Sequence, residues 1–209
     1  MEILELMASK ICHDLISPIG AVNNGIEFME DMGAEVDEEI ANLIAFSAQQ
    51  ASAKLQAFRM AYGMGGSDGH IKVSDVHKII ESIVSAEKKV VQDWDPSTKI
   101  APELPPKAFC KILISTLLLA MECLPKGGAL CVESGDDGVV HVTAKGPSAG
   151  LRTGFSEALA LDMEQSALTP TVTHAYITGL LARHYDYKLK VEKPAEDTVI
   201  FYMELPLLV

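Results

Sequence analysis

Basic side chains are scarce in this 209-residue chain, where 17 Lys and Arg stand against 29 Asp and Glu for a formal charge of -12. Such a balance repels phosphate backbones and anionic lipid headgroups, so neither a nucleic acid nor a membrane surface is expected as a partner. Long apolar runs are missing too. The longest, Ile112–Met121, is about half of the roughly 20 residues a membrane crossing requires, and it reads as a core helix. The first residues show no charged-then-apolar leader with a small-residue cleavage site, so the expected location is the cytoplasm. Cysteines number only four, Cys12, Cys110, Cys123 and Cys131. They form no C-x-x-C pair and share no zinc-finger spacing with the histidines, so they read as small apolar fillers, with no metal expected on this chain. A G-x-x-x-x-G-K-[ST] phosphate loop and a G-x-S-x-G nucleophile elbow are likewise absent.

What is present suits a folded chain with much buried surface: 48% hydrophobic and 22% charged residues, with a mean hydropathy of +0.19. Residues 1–64 read as a helical hairpin. From Glu2 to about Asp31, Leu4, Ala8, Ile11, Leu15, Pro18, Val22, Gly25 and Met29 alternate in steps of four and three along one seam. Gly33 is the expected stop, and Asp37, Glu38 and Glu39 suit the positive end of the next helix. That helix runs to about Tyr62, with Ile40, Ile44, Ser47, Ala51, Leu55, Phe58 and Tyr62 spaced in the same way. A lone hairpin has too little interior to bury both stripes, so pairing with its own copy into a four-helix bundle is expected, which makes the chain a homodimer.

Residues 65–70, overlapping the glycine-rich Gly63–Gly69, read as a linker before a second domain over 71–209. There the spacing predicts a helix from about Ser74 as N-cap, a short strand over Val90–Trp94, and a second helix from near Pro105 and Pro106 to Leu124. Two hairpins follow, 129–146 and 187–206, with a third helix after Pro170 to about His184 between them. Residues 147–169 are ambiguous, with weak helical character. Three helices and about five strands in this order suggest helices on one face of a mixed sheet, an α+β chain overall.

Within the first helix, "CHDLISPI" sets His13 beside Asp14 and places Pro18 five positions after the histidine. With Ile11 and Leu15 on the seam, His13 is about 200° away and faces outward. Ser9, Lys10, Ile16, Ser17, Gly20 and Asn24 share its side of the helix and are mostly small, leaving the imidazole open to a large partner. Pro18 lacks the N–H that would bond the Asp14 carbonyl, so a bend just past the histidine is expected.

These residues resemble the phosphoacceptor box of sensor histidine kinases, and the chain as a whole is similar to the ChpT histidine phosphotransferases of alphaproteobacterial phosphorelays. The resemblance implies a kinase-like α/β sandwich after the hairpin. It also locates the nucleotide elements of kinases, all of which depart here from the kinase pattern. Ser115 and Leu119 stand at asparagine positions, and leucine offers magnesium no oxygen. Ala144 replaces the adenine-binding aspartate with only Gly146 retained, and Thr171 and Thr173 replace phosphate-loop glycines. A degenerate ATP-binding fold without ATP is therefore expected.

The implied reaction is phosphoryl transfer through phospho-His13 from a receiver aspartate of a hybrid kinase resembling CckA to response regulators resembling CtrA and CpdR. Magnesium is expected on the receiver. Asp14 could orient or deprotonate the ring, or meet the partner instead. Ile16, Ser17, Gly20 and Asn24 would form the docking surface. The second domain could extend that surface or stabilise the dimer. The competing class is a dimeric binding protein that blocks a receiver or kinase without accepting phosphate.

Overall fold

The computed structural model describes residues 2–32, 38–63, 71–87, 89–135 and 138–206. The expected stop at Gly33, the helix-start residue Asp37 and the linker 65–70 lie outside those residues. Helix α1 runs Glu2–Met32 and α2 runs Glu38–Tyr62, with Glu38 and Glu39 in the first turn of α2. α1 continues through Pro18, which is buried.

The two helices approach closely at Gly25, where an added Cβ would lie 2.5 Å from Cγ1 of Ile44. Pro18, Gly25, Ser47 and Phe58 are buried as their spacing predicts. Leu4 and Leu55 are not; they are 70% and 57% exposed. A strict seven-residue repeat drifts about 20° per heptad on a straight helix, so Leu4, two heptads before Pro18, has rotated off the seam. Leu55 sits eight residues past Ser47, about 80° around α2.

A second face of α2 is buried by the C-terminal half of the chain. Ala53, Ala57, Met60 and Ala61 join the same core cluster as the sheet and the later helices, so the hydrophobic interior is continuous from hairpin to sheet.

The remaining elements are α3 (Val73–Glu87), β1 (Val90–Gln92), α4 (Phe109–Glu122), β2 (Gly128–Ser134), β3 (Val140–Lys145), α5 (Phe155–Ala160), α6 (Thr173–His184), β4 (Lys188–Ala195) and β5 (Thr198–Glu204). The sheet order is β1-β2-β3-β5-β4, with β1 parallel to β2 and the other pairs antiparallel. Alternate residues face the helices: Leu130, Val132, Val140, Val142, Ala144, Val199, Phe201 and Met203 are all buried, with Val142 opposite both Val132 and Phe201. This is the expected α+β arrangement of a hairpin followed by a two-layer sandwich.

Two local expectations change. α3 begins at Val73, and Asp75 reaches back to accept the Lys72 N–H at 3.0 Å, half of a capping box, so Ser74 lies inside the first turn rather than at the cap. The ambiguous stretch 147–169 contains α5 and a 3₁₀ turn, Gln165–Ala167. α5 has 6 residues between Gly154 and Leu161, whose φ angles are 79° and 64°. That length is under two turns, too short for a periodicity to stand out. Gly179 of α6 lets α5 come close, because a Cβ there would collide with the Leu159 carbonyl.

α4 lies at the centre of the molecule, with every side chain from Phe109 to Leu117 buried. Among these is Lys111, 2% exposed, whose Nζ donates to the carbonyl oxygens of Ala61 at 3.1 Å and Gly63 at 2.6 Å. Its ammonium thereby satisfies backbone acceptors at the end of α2 that the helix cannot satisfy itself.

Candidate active site

His13 projects from α1 with its side chain 86% exposed, facing outward as its position relative to Ile11 and Leu15 predicts. Adjacent residues on a helix diverge by about 100°, yet Asp14 Oδ1 lies 3.2 Å from His13 Nδ1. A carboxylate can only accept, so this hydrogen bond requires the proton on Nδ1, the tautomer that leaves the Nε2 lone pair free. Asp14 uses its other oxygen, Oδ2, to accept from Lys10 Nζ at 2.8 Å, one helical turn earlier.

The chain of contacts continues beyond the hairpin. Lys10 Nζ is 3.4 Å from Oε1 of Glu122, the last residue of α4, and the same oxygen accepts from His174 Nδ1 at 3.0 Å near the start of α6. His174 is buried, and its ring meets that of Tyr62 edge-on at 5.9 Å between centroids. The groups surround a cavity of about 250 Å³ between the hairpin and the C-terminal layer, with Lys54 and Phe58 on its α2 side.

The electrostatics follow from this crowding. Burial alone would raise the Glu122 carboxyl, but the hydrogen bond and charge of His174, with Lys10 and Arg152, outweigh it and pull it down to about 2. Burial would lower Lys10, but Glu122 and Asp14 more than offset that and raise it above the usual lysine value. Burial, then the charges of Glu122 and Asp14, push the Tyr62 phenol well up. Two carboxylates thus share one ammonium in a partly desolvated cleft, where such pairs interact more strongly than on an open surface.

The other residues expected around His13 divide into two sets. Ser9, Ser17 and Asn24 are exposed, Ile16 is 68% exposed, and Gly20 has open space where a Cβ would stand. Lys10, assigned by its spacing to the same open face, is half-buried and turned toward Asp14 and Glu122. Glu122 and His174 themselves have no local pattern that marks them, since they meet only when α4 and α6 pack together. The one hint is a carboxylate closing the apolar run of α4, which demands a cation or donor when it is covered.

Of the positions that hold nucleotide in kinases, Ser115, Leu119, Ala144 and Thr173 lie in the core, while Thr171 is exposed. Ser115 and Leu119 are fully buried, and the Ser115 hydroxyl donates to the Lys111 carbonyl at 2.8 Å. Ala144 is buried in β3, and the Thr173 hydroxyl donates to the Thr169 carbonyl at 2.8 Å. The polar groups at these positions are used within the protein, and the residues present do not fit a nucleotide phosphate or its magnesium. The remaining histidines among the described residues meet aromatic rings: His77 with Trp94, His141 with Tyr202 and His184 with Tyr185. Cys110 and Cys123 are buried fillers, as expected, whereas Cys12 is exposed on α1. No described helix is long and apolar enough to cross a membrane.

Comparison with known proteins identifies the family. The family model described as "Histidine phosphotransferase C-terminal domain" matches residues 73–197. The protein phosphotransferase ChpT of Brucella abortus (strain 2308) is 34% identical over 198 residues, covering 93% of this chain and 91% of the relative. The 1.7 Å structure of a bacterial phosphotransferase superposes with a TM-score of 0.78 at 32% identity, over 97% of this chain and 95% of that one. With a family match over more than half of its length and a relative aligned along nearly all of it, the chain belongs to the ChpT-like histidine phosphotransferases and is an enzyme of phosphoryl transfer.

Proposed function

We propose that His13 is the phosphoryl carrier of a phosphorelay, taking the group from an aspartyl phosphate on one receiver domain and delivering it to the aspartate of another. The observation that carries this reading is the pairing of an 86% exposed imidazole with a carboxylate on Nδ1, which leaves Nε2 free for in-line attack. In the first half-reaction the Nε2 lone pair forms the N–P bond as the P–O bond to the receiver aspartate breaks, returning that aspartate as a carboxylate. The ring then carries phosphorus on Nε2 and a proton on Nδ1, hence a positive charge that Asp14 faces. Retaining that proton keeps the imidazole a good leaving group, so the second half-reaction is the first in reverse toward a new aspartate.

Phosphoryl transfer depends on alignment and charge neutralisation more than on covalent help from the protein, and the receiver is assigned the magnesium ion. Ser9, Ile16, Ser17, Gly20 and Asn24 form the face a receiver would meet. By family likeness the donor is the receiver of a CckA-like hybrid kinase and the acceptors are CtrA-like and CpdR-like regulators. ATP is not the phosphoryl source. The burial of Ser115, Leu119 and Ala144 supports this.

The functional unit is a homodimer. Leu4, Ile19 and Ile26 are 70%, 55% and 45% exposed and lie within about 60° of one another around α1. His13 is at least about 120° from that stripe, so a second hairpin can cover the stripe and leave the imidazole free. The test is incubation with a receiver carrying labelled aspartyl phosphate. Acid-labile, base-stable label on this chain, lost in His13→Ala and chased by a second receiver, is the expected result. Tight binding without label would identify an inhibitor instead, and label from ATP alone would identify a kinase.

A further inference from the structure

The contact between Asp14 and His13 is anchored on the far side of the cleft. Asp14 divides its two oxygens between His13 Nδ1 and Lys10 Nζ, and Lys10 divides its ammonium between Asp14 and Glu122. Glu122 in turn is held by His174, which is 4% exposed and fixed in the first turn of α6. The series His13, Asp14, Lys10, Glu122, His174 therefore runs unbroken from an open imidazole on the hairpin to a buried one in the C-terminal layer. Its two ends differ sharply in exposure. Side-chain exposure is 86% at His13, 21% at Asp14, 28% at Lys10, 19% at Glu122 and 5% at His174.

We infer that Glu122 is a positioning residue for phosphoryl transfer: through Lys10 it fixes the Asp14 rotamer that holds the proton on His13 Nδ1, giving the C-terminal layer a direct part in preparing the nucleophile. This rests on His13 being the phosphoryl carrier. The physical reason is entropic. Asp14 beside an exposed histidine gains little from a single charged hydrogen bond at the surface, because both side chains lose rotamer freedom to make it. Lys10 is long and flexible, and by itself offers Asp14 no fixed point. Tied to a carboxylate that is itself hydrogen-bonded in the core, it becomes one, and Asp14 is held in place before the receiver arrives. The hydrogen bond and charge of His174 hold the Glu122 carboxyl down against its burial, and Glu122 and Asp14 hold the Lys10 ammonium up, so both charges stay in force across the working pH range.

The test uses the full-length chain with Glu122→Gln, which keeps shape and removes charge, and Lys10→Met, which keeps the aliphatic stem and removes the ammonium. The ring tautomer of His13 is read from long-range ¹⁵N–¹H NMR. In the wild type Nδ1 carries the proton; in either variant the population with the proton on Nε2 should rise. At saturating phospho-receiver the transfer rate should fall about fivefold in each variant, with KM unchanged. Because Glu122 acts through Lys10, adding Glu122→Gln to Lys10→Met should have no further effect. An unchanged His13 tautomer in Glu122→Gln, or rate losses that add in the double variant, would overturn the inference. The NMR reading needs no phosphate, so it judges this link even if labelled receiver never phosphorylates the chain, a result that would defeat the carrier assignment instead.

Discussion

Lys111 Nζ sits 2.6 Å from the carbonyl oxygen of Gly63, so a buried ammonium in the central helix of the C-terminal layer closes the end of the hairpin's second helix. The hairpin is thereby hydrogen-bonded to the body that also carries Glu122 and His174. That bond and the continuous core through Ala57 and Ala61 hold α1 where Lys10 can reach Glu122.

Replacing this lysine should cost stability. In Lys111→Met the volume is retained, but the Ala61 and Gly63 carbonyls lose their donor, which corresponds to about 2–3 kcal/mol. Burial also holds the Lys111 ammonium below its ordinary 10.5. The folded protein then binds fewer protons than the unfolded chain as pH approaches 10.5 from below, so this group's contribution rises with pH across that interval. Urea unfolding of both proteins at several alkaline pH values should show that rise in the wild type and not in the variant.

Glu122 should be visible on the acid side. Its folded-state value of about 2 lies below the ordinary 4.5, so its stabilisation is fully present above 4.5 and is lost as pH falls toward 2. The gap corresponds to on the order of 3 kcal/mol. Glu122→Gln is therefore expected to be less stable at neutral pH and to show a flatter decline through the acid range. Parallel acid-unfolding curves for the two proteins would contradict the pairing.

His13→Ala should separate fold from chemistry. Because the ring is 86% exposed and its hydrogen bond lies at the surface, unfolding free energy should change by no more than about 0.5 kcal/mol. Transfer from a phospho-receiver should vanish. A variant that loses transfer together with its thermal transition would point to a structural role for the ring.

The exposed stripe on α1 provides a test of assembly. Ile19→Lys combined with Ile26→Lys places two charges on apolar positions that a second hairpin would cover, and should convert a dimer to a monomer of 22.5 kDa by sedimentation equilibrium. Far-ultraviolet circular dichroism should be unchanged, since neither side chain enters the core within one chain.

Periodicity made the hairpin legible because long helices repeat their burial pattern many times, and α1 and α2 have 31 and 25 residues. The sheet was legible for a similar reason, since Val140, Val142 and Ala144 alternate inward over several residues. α5 was not, because 6 residues contain too little pattern to distinguish from a loop. Leu4 was misplaced on the seam because helix drift accumulates along α1, and Leu55 because two successive four-residue steps from Ser47 carry it about 80° around α2. The side of α2 formed by Ala53, Ala57 and Ala61 gave no strong signal, since small residues mark a close approach only once the neighbour is known.

The sequence by itself determined the outward histidine, its neighbouring acid and the long amphipathic helix that carries both. All of these lie on one helix or within one short stretch, where spacing translates directly into geometry. Tertiary structure alone decided that Lys10 turns inward, that Lys111 closes α2, and that Glu122 and His174 stand behind Asp14. Those contacts join residues as far apart as Lys10 and Glu122, and a pairing across that separation exists only after the core has brought α4 and α6 against the hairpin.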